Sequence, residues 1–114
     1  MNTAPPFQRV ALIGHSFGGA VAINAGTLSP LVTTVVALSS QLAGAHVAGE
    51  LAPKPLLLIH GDADTILPHE SSQALYDRAG EPKILKILPG VGHRLSEAAD
   101  EVFDLVRDWL LKKI

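Results

Sequence analysis

The stretch VALIGHSFGGAVA, residues 10–22, passes from an apolar run into a run of small residues, with one serine between glycines. Its centre, GHSFG at residues 14–18, fits the pattern G-x-S-x-G, with a strand pattern before it and a helix pattern after it. Such a sharp turn lifts the serine hydroxyl off the sheet, and it needs glycines because a Cβ would collide there. We therefore predict that Ser16 is a nucleophile and that the Phe17 N–H stabilises negative charge beside it. The alternative is a purely structural Gly/Ser turn.

The composition limits the class of protein. The 114 residues are expected to form one domain, 1–114, and 47% of them are hydrophobic, as strands buried on both faces would require. A net charge of −2 without a basic cluster argues against nucleic-acid binding. The absence of cysteine excludes disulfides, thiolate metal sites and a cysteine nucleophile. Residues 1–10 lack a signal-peptide pattern, and no apolar run reaches the ~20 residues that span a bilayer, so we expect a cytoplasmic protein without membrane contact.

Apolar runs alternate with amphipathic ones along the chain. Four short apolar runs predict strands at 9–14, 33–39, 55–61 and 83–89. Helices are predicted at 18–28, 69–79 and 96–112, the last with Ser96 as its N-cap and apolar positions at helical spacing. This alternation predicts an α/β fold with a parallel sheet and right-handed crossovers. Lys83 and Lys86 favour an edge position for the fourth strand.

A serine nucleophile requires a base, and the base requires an orienting acid. Asp62 and Asp64 follow the third predicted strand, and His93 lies in the loop after the fourth. The carboxyl ends of parallel strands lie along one edge of a sheet, so these side chains are expected to meet Ser16 there. Their positions in the loop do not show which of the two aspartates is the acid. The serines at 39–40 end the second strand at the same edge, where they could line a pocket or only turn the chain.

The segments GHSFGG, IHGDADTILP and PGVGH resemble three consecutive landmarks of the α/β-hydrolase serine esterases, near the dienelactone-hydrolase and small-esterase branches. The likeness covers nearly the whole chain, and the chain order Ser, Asp, His is that of the fold. The resemblance implies that the acid is Asp64, the second aspartate of H-G-x-x-D-x-x-x-P, with Asp62 as a turn-former. A dienelactone hydrolase carries cysteine at the nucleophile, so Ser16 favours ester or thioester chemistry.

The chain departs from this family before the turn. Family members usually have about four strands and two helices there, whereas fewer than ten residues precede the first strand pattern here. The strand before Ser16 is therefore expected at an edge, and the loop that normally supplies the second oxyanion donor has no counterpart. Losing one such donor typically costs ~10²–10³ in turnover. We expect a homodimer that covers the first-strand edge and can supply that donor; the alternative is a piece of a longer hydrolase.

The remaining histidines give weaker signals. His15 is expected to fill space in the turn, and His60, at the end of an apolar strand, to be a hydrogen-bonded core residue. His46 and His69 have no acidic partner at a metal-binding spacing, so the sequence predicts no metal and no cofactor.

The sequence thus predicts a serine hydrolase, an esterase or thioesterase that acts through Ser16, His93 and Asp64 and an acyl-enzyme. Two alternatives stay open: an acyltransferase with the same three residues, and a non-catalytic binding or assembly module on a truncated hydrolase scaffold.

Overall fold

A four-stranded parallel sheet with helices on both faces forms the fold in the computed structural model, which describes residues 9–114. The strands are β1 (Val10–His15), β2 (Val32–Leu38), β3 (Leu56–Gly61) and β4 (Lys83–Leu88), in the order β1-β2-β3-β4. The α-helices are α1 (Phe17–Leu28), α2 (Glu70–Arg78) and α3 (Ala99–Lys113), with 3₁₀ turns at His46–Glu50 and Ser96–Ala98. The predicted α/β class with four parallel strands is confirmed. The expectation of no signal peptide falls mainly on residues outside those described.

The two faces of the sheet are covered by different helices. Each right-handed crossover leads to the next strand in the same direction, so the connections between strands fall on one face. There α1 and α2 pack over buried side chains that include Ile23, Val35 and Leu75. The terminal α3 covers the other face, where Trp109 packs with Val36 and other residues of β2 and β3. Within residues 9–114, no helix is long and apolar enough to cross a bilayer.

Most element boundaries lie within two residues of those predicted, and the largest difference is at α3. That helix begins at Ala99 rather than Ser96, and no side chain caps it. A 3₁₀ turn precedes it because Leu95 takes a left-handed conformation with φ 63°. The Glu97 carboxylate also turns back to accept a hydrogen bond from the Gly92 N–H at 3.1 Å. Ser96 as N-cap was therefore wrong: this stretch closes the loop that holds His93 and does not yet start the helix.

The outer edges of the sheet are β1 and β4. Among the residues that the structure describes, β1 pairs only with β2, and β4, with its two lysines, pairs only with β3. Beside β1 lies an open apolar channel that we call the α3 groove. Its walls are Ile13, Phe103, Val106, Arg107, Leu110, Leu111 and Ile114. Phe103 is 65% exposed and Leu111 78%, so this part of the second face is much less covered than the first.

Candidate active site

Ser16 sits in a tight turn between β1 and α1. Its φ of 62° and ψ of −121° lie outside the regions that residues other than glycine normally occupy. Three backbone bonds hold it: its N–H donates to the Leu38 carbonyl at 2.8 Å, and its carbonyl accepts from the N–H groups of Gly19 at 3.0 Å and Gln41 at 3.4 Å. A Cβ on Gly14 would overlap the carbonyl of Gly18, so the turn requires glycine at that position. The strained conformation is fixed by its surroundings.

The start of α1 also packs closely on the end of β2. A Cβ on Gly19 would lie 2.6 Å from Oγ of Ser40, whereas a Cβ on Gly18 would meet no other atom within 4 Å. Phe17 is the first residue of α1, so its N–H has no partner inside the helix. Its side chain is 66% exposed. The free N–H adjoins Ser16, as a donor to an oxyanion would have to.

Ser16, His93 and Asp64, distant along the chain, meet at the carboxyl edge of the sheet. Nε2 of His93 lies 3.0 Å from Oγ of Ser16, and Nδ1 lies 2.7 Å from Oδ2 of Asp64. Because a carboxylate only accepts hydrogen bonds, the proton of the neutral ring resides on Nδ1. Nε2 is then free to accept the proton of the serine hydroxyl.

The side chain of Asp64 is fully buried, and both of its oxygens accept hydrogen bonds. Oδ1 accepts hydrogen bonds from the N–H groups of Ile66 and Leu67, each at 2.8 Å, and Oδ2 faces His93. Burial by itself would raise the pKa of Asp64. The Leu67 N–H, then the His93 ring and the Ile66 N–H, outweigh burial and hold that pKa below its ordinary value of 3.8. The carboxylate is therefore ionised near neutral pH and aimed at His93.

Asp62, the other candidate acid, has a different partner. Its Oδ1 accepts the N–H of Gly90 at 2.7 Å, which ties the turn after β3 to the turn after β4. A Cβ on Gly61 would overlap the carbonyl of Val91, which shows how closely these two loops pass. Asp62 thus holds the loops together, while Asp64 reaches His93.

Two residues hold the backbone of His93 in a role that the sequence did not predict: His15 was expected to fill space in the turn, and Ser39 to line a pocket or only turn the chain. Nε2 of His15 and Oγ of Ser39 both donate to the His93 carbonyl, each at 2.8 Å. The His15 and His93 rings also lie 4.9 Å apart between centroids. Ser39 is fully buried and has a positive φ of 48°. The available signal was their place at the carboxyl ends of adjacent strands, at the same edge as Ser16.

Comparison with known proteins places the chain among hydrolases. Residues 43–99, half of the chain, match the family model described as serine aminopeptidase, S33. The uncharacterized protein YfhR of Escherichia coli O157:H7 is 29% identical over an alignment of 130 positions, which covers 94% of this chain and 45% of that protein. A monoacylglycerol lipase of Mycolicibacterium smegmatis is 36% identical over 63 residues, 53% of this chain and 22% of the lipase.

The solved structures agree on the fold. The esterase domain of a Rhodothermus marinus protein superposes with a TM-score of 0.80 at 22% identity, over 90% of this chain and 61% of that chain. A CIB-like hydrolase from Thermoplasma acidophilum gives 0.78 at 23% identity, over 90% of this chain and 51% of that one. The present chain spans less than half the length of the YfhR relative.

Proposed function

The chain belongs to the serine aminopeptidase S33 family of α/β hydrolases, and from that premise we propose that it cleaves a small ester or thioester through Ser16. The observation that carries the proposal is the unbroken line of contacts from Ser16 Oγ to His93 Nε2 and from His93 Nδ1 to Asp64 Oδ2. Each contact has the donor and acceptor that nucleophilic catalysis requires.

In the proposed reaction, Ser16 Oγ attacks the acyl carbon and its proton passes to Nε2 of His93. The ring then returns this proton to the leaving alcohol or thiol as the bond to the acyl carbon breaks, which leaves an acyl-enzyme. Water, deprotonated by the same nitrogen, releases the acid and restores Ser16. Asp64 fixes the tautomer of His93 and stabilises the imidazolium. The Phe17 N–H donates to the oxyanion.

The ester assignment draws on the monoacylglycerol lipase among the relatives, together with the serine at the nucleophile position. Between β2 and β3 the chain has only a 3₁₀ turn at His46–Glu50, which leaves no room for a cap domain there. We therefore expect an open site and short, accessible acyl groups. Acyl transfer to an acceptor other than water would use the same three residues.

A fluorophosphonate probe tests the nucleophile directly. We expect it to label the wild type and the Ser71→Ala control, a serine on α2 outside the site, but not Ser16→Ala. p-Nitrophenyl esters of increasing chain length then measure turnover and acyl preference. Labelling without hydrolysis would favour the acyltransferase, and a wild type that is neither labelled nor active would favour the binding module and overturn the proposal.

We further propose that a second copy of the chain covers the β1 edge and the α3 groove, which are continuous through Ile13. The charges along α3 support a two-fold arrangement: Asp100 and Glu101 lie in its first turn, and Lys112 and Lys113 in its last. Two antiparallel copies of α3 would place opposite charges side by side at both ends of the contact.

A further inference from the structure

His60 is a fully buried histidine at the end of β3, next to the proposed acid. Its Nδ1 lies 2.7 Å from Oγ of Ser72 on α2, and its Nε2 lies 2.9 Å from the carbonyl of Leu67. This agrees with the expectation of a hydrogen-bonded core histidine. The same Nε2 also lies 3.0 Å from Oδ2 of Asp64, a contact that the sequence did not indicate.

The neighbours of the His60 ring determine where its proton resides. Nε2 faces the Leu67 carbonyl and the Asp64 carboxylate, and both of these groups only accept hydrogen bonds. Nε2 therefore carries a hydrogen whether the ring is neutral or charged. In the neutral ring, Nδ1 accepts the hydrogen bond of the Ser72 hydroxyl. The ring thus presents an N–H group to the carboxylate inside the core.

Leu67 links the two residues a second time. Its N–H donates to Oδ1 of Asp64 at 2.8 Å, and its carbonyl accepts from Nε2 of His60 at 2.9 Å. The His60 ring therefore holds the carbonyl of the residue whose N–H binds one carboxylate oxygen, and it lies against the other oxygen. That other oxygen, Oδ2, is the one that faces Nδ1 of His93 at 2.7 Å.

Packing alone does not account for a histidine at this position. Its neighbours Leu58 and Ile59 on β3 are fully buried aliphatic residues, and an aliphatic side chain would need no hydrogen-bond partners. A buried imidazole is costly unless its polar atoms are satisfied, and here both nitrogens are. On the Nε2 side, these contacts are with the carbonyl of Leu67, whose N–H binds Asp64, and with the Asp64 carboxylate itself.

We propose that His60 is a positioning residue for Asp64: it holds the carboxylate so that Oδ2 stays directed at Nδ1 of His93. The inference rests on the proposed function, because it concerns the acid of that site. His60 acts through Asp64 and Leu67, and its effect should appear in the chemical step while substrate affinity stays the same.

Kinetics of two substitutions test this role. His60→Leu removes the N–H and should lower kcat by about 10²-fold with KM little changed, since small misplacements of catalytic groups cost on that order. His60→Gln restores a donor near the position of Nε2 and should recover most of kcat. In an Asp64→Asn background, His60→Leu should add little further loss, because both changes damage one function. An equal loss in both backgrounds, or full activity of His60→Leu, would overturn the proposal.

A second readout does not depend on turnover. In proton NMR, the Nδ1–H of His93 bonded to Asp64 should give a far-downfield resonance. We expect His60→Leu to shift or broaden it and His60→Gln to retain it, with circular dichroism showing that both variants are folded. An unchanged resonance in folded His60→Leu would refute the positioning role. If the proposed function itself were wrong, the fluorophosphonate probe would fail to label Ser16 in the wild type.

Discussion

The site at the carboxyl edge of the sheet and the α3 groove are built in opposite ways. At the site, the polar groups are paired: both Asp64 oxygens, both His93 nitrogens and the His93 carbonyl have partners within 3.0 Å. In the groove, Phe103 and Leu111 leave most of their apolar surface uncovered. The polar groups of the site thus have their partners within the chain, whereas the groove exposes apolar surface that a partner could cover.

This difference determines how each region should respond to substitution. A change at the site leaves a buried partner unpaired or out of place, which is costly within the chain itself. A change in the groove alters what the surface can bind and leaves the chain's own contacts largely intact.

Asp64→Asn should have the largest effect. The amide cannot both accept from Nδ1 of His93 and keep its bonds to the loop, so the ring loses its orienting charge. By analogy with other triads, kcat should fall by about 10⁴-fold. Steady-state hydrolysis of a p-nitrophenyl ester measures this.

The matched control is Asp62→Asn, two residues away. Its side chain bonds the Gly90 N–H, and the amide oxygen can accept that same bond. We expect kcat to change far less. Equal losses in the two variants would show that Asp64 is not the acid and would remove the contrast between the two aspartates.

A second pair of variants tests how tightly the site is packed. Gly19→Ala would force a methyl group to 2.6 Å from Oγ of Ser40, and overpacking of this kind typically costs about 1–3 kcal/mol of unfolding free energy. Gly18→Ala meets nothing within 4 Å, and alanine favours the helix, so its stability should be equal to or slightly above wild type. Urea unfolding gives both values, and a Gly19→Ala midpoint as high as that of Gly18→Ala would contradict the close approach.

The same two regions show what the sequence could predict. Each strand was visible as a continuous apolar run, and each predicted site residue follows a strand at a turn-forming motif. Because parallel strands bring their carboxyl ends together, this order was enough to expect Ser16, His93 and both aspartates at one edge. The choice of Asp64 over Asp62 came from the family resemblance. The edge position of the first strand was also expected, but the α3 groove beside it was not predicted.

For other features the sequence indicated at most the position of a residue and not the contact that it makes. The bonds from His15 and Ser39 end on a backbone carbonyl, which every residue has, and they span 78 and 54 positions. Ser96 looked like a helix cap because the left-handed Leu95 next to it is not apparent from sequence. For His60, burial and a hydrogen bond were predictable from its strand, but its contact with Asp64 depends on how the loop folds back.

Leu111→Glu should have the smallest effect on the stability of the chain itself. It tests the α3 groove without disturbing the site. Leu111 is 78% exposed in the groove, so the substitution should change stability by no more than about 0.5 kcal/mol. If a second copy covers the groove, a buried glutamate there would convert a dimer to a monomer in size-exclusion chromatography with light scattering. The control, Leu28→Glu, changes an equally exposed leucine on α1 and should remain dimeric, since Leu28 lies outside the groove. A wild type that is monomeric at micromolar concentration would exclude the second copy as the groove's occupant.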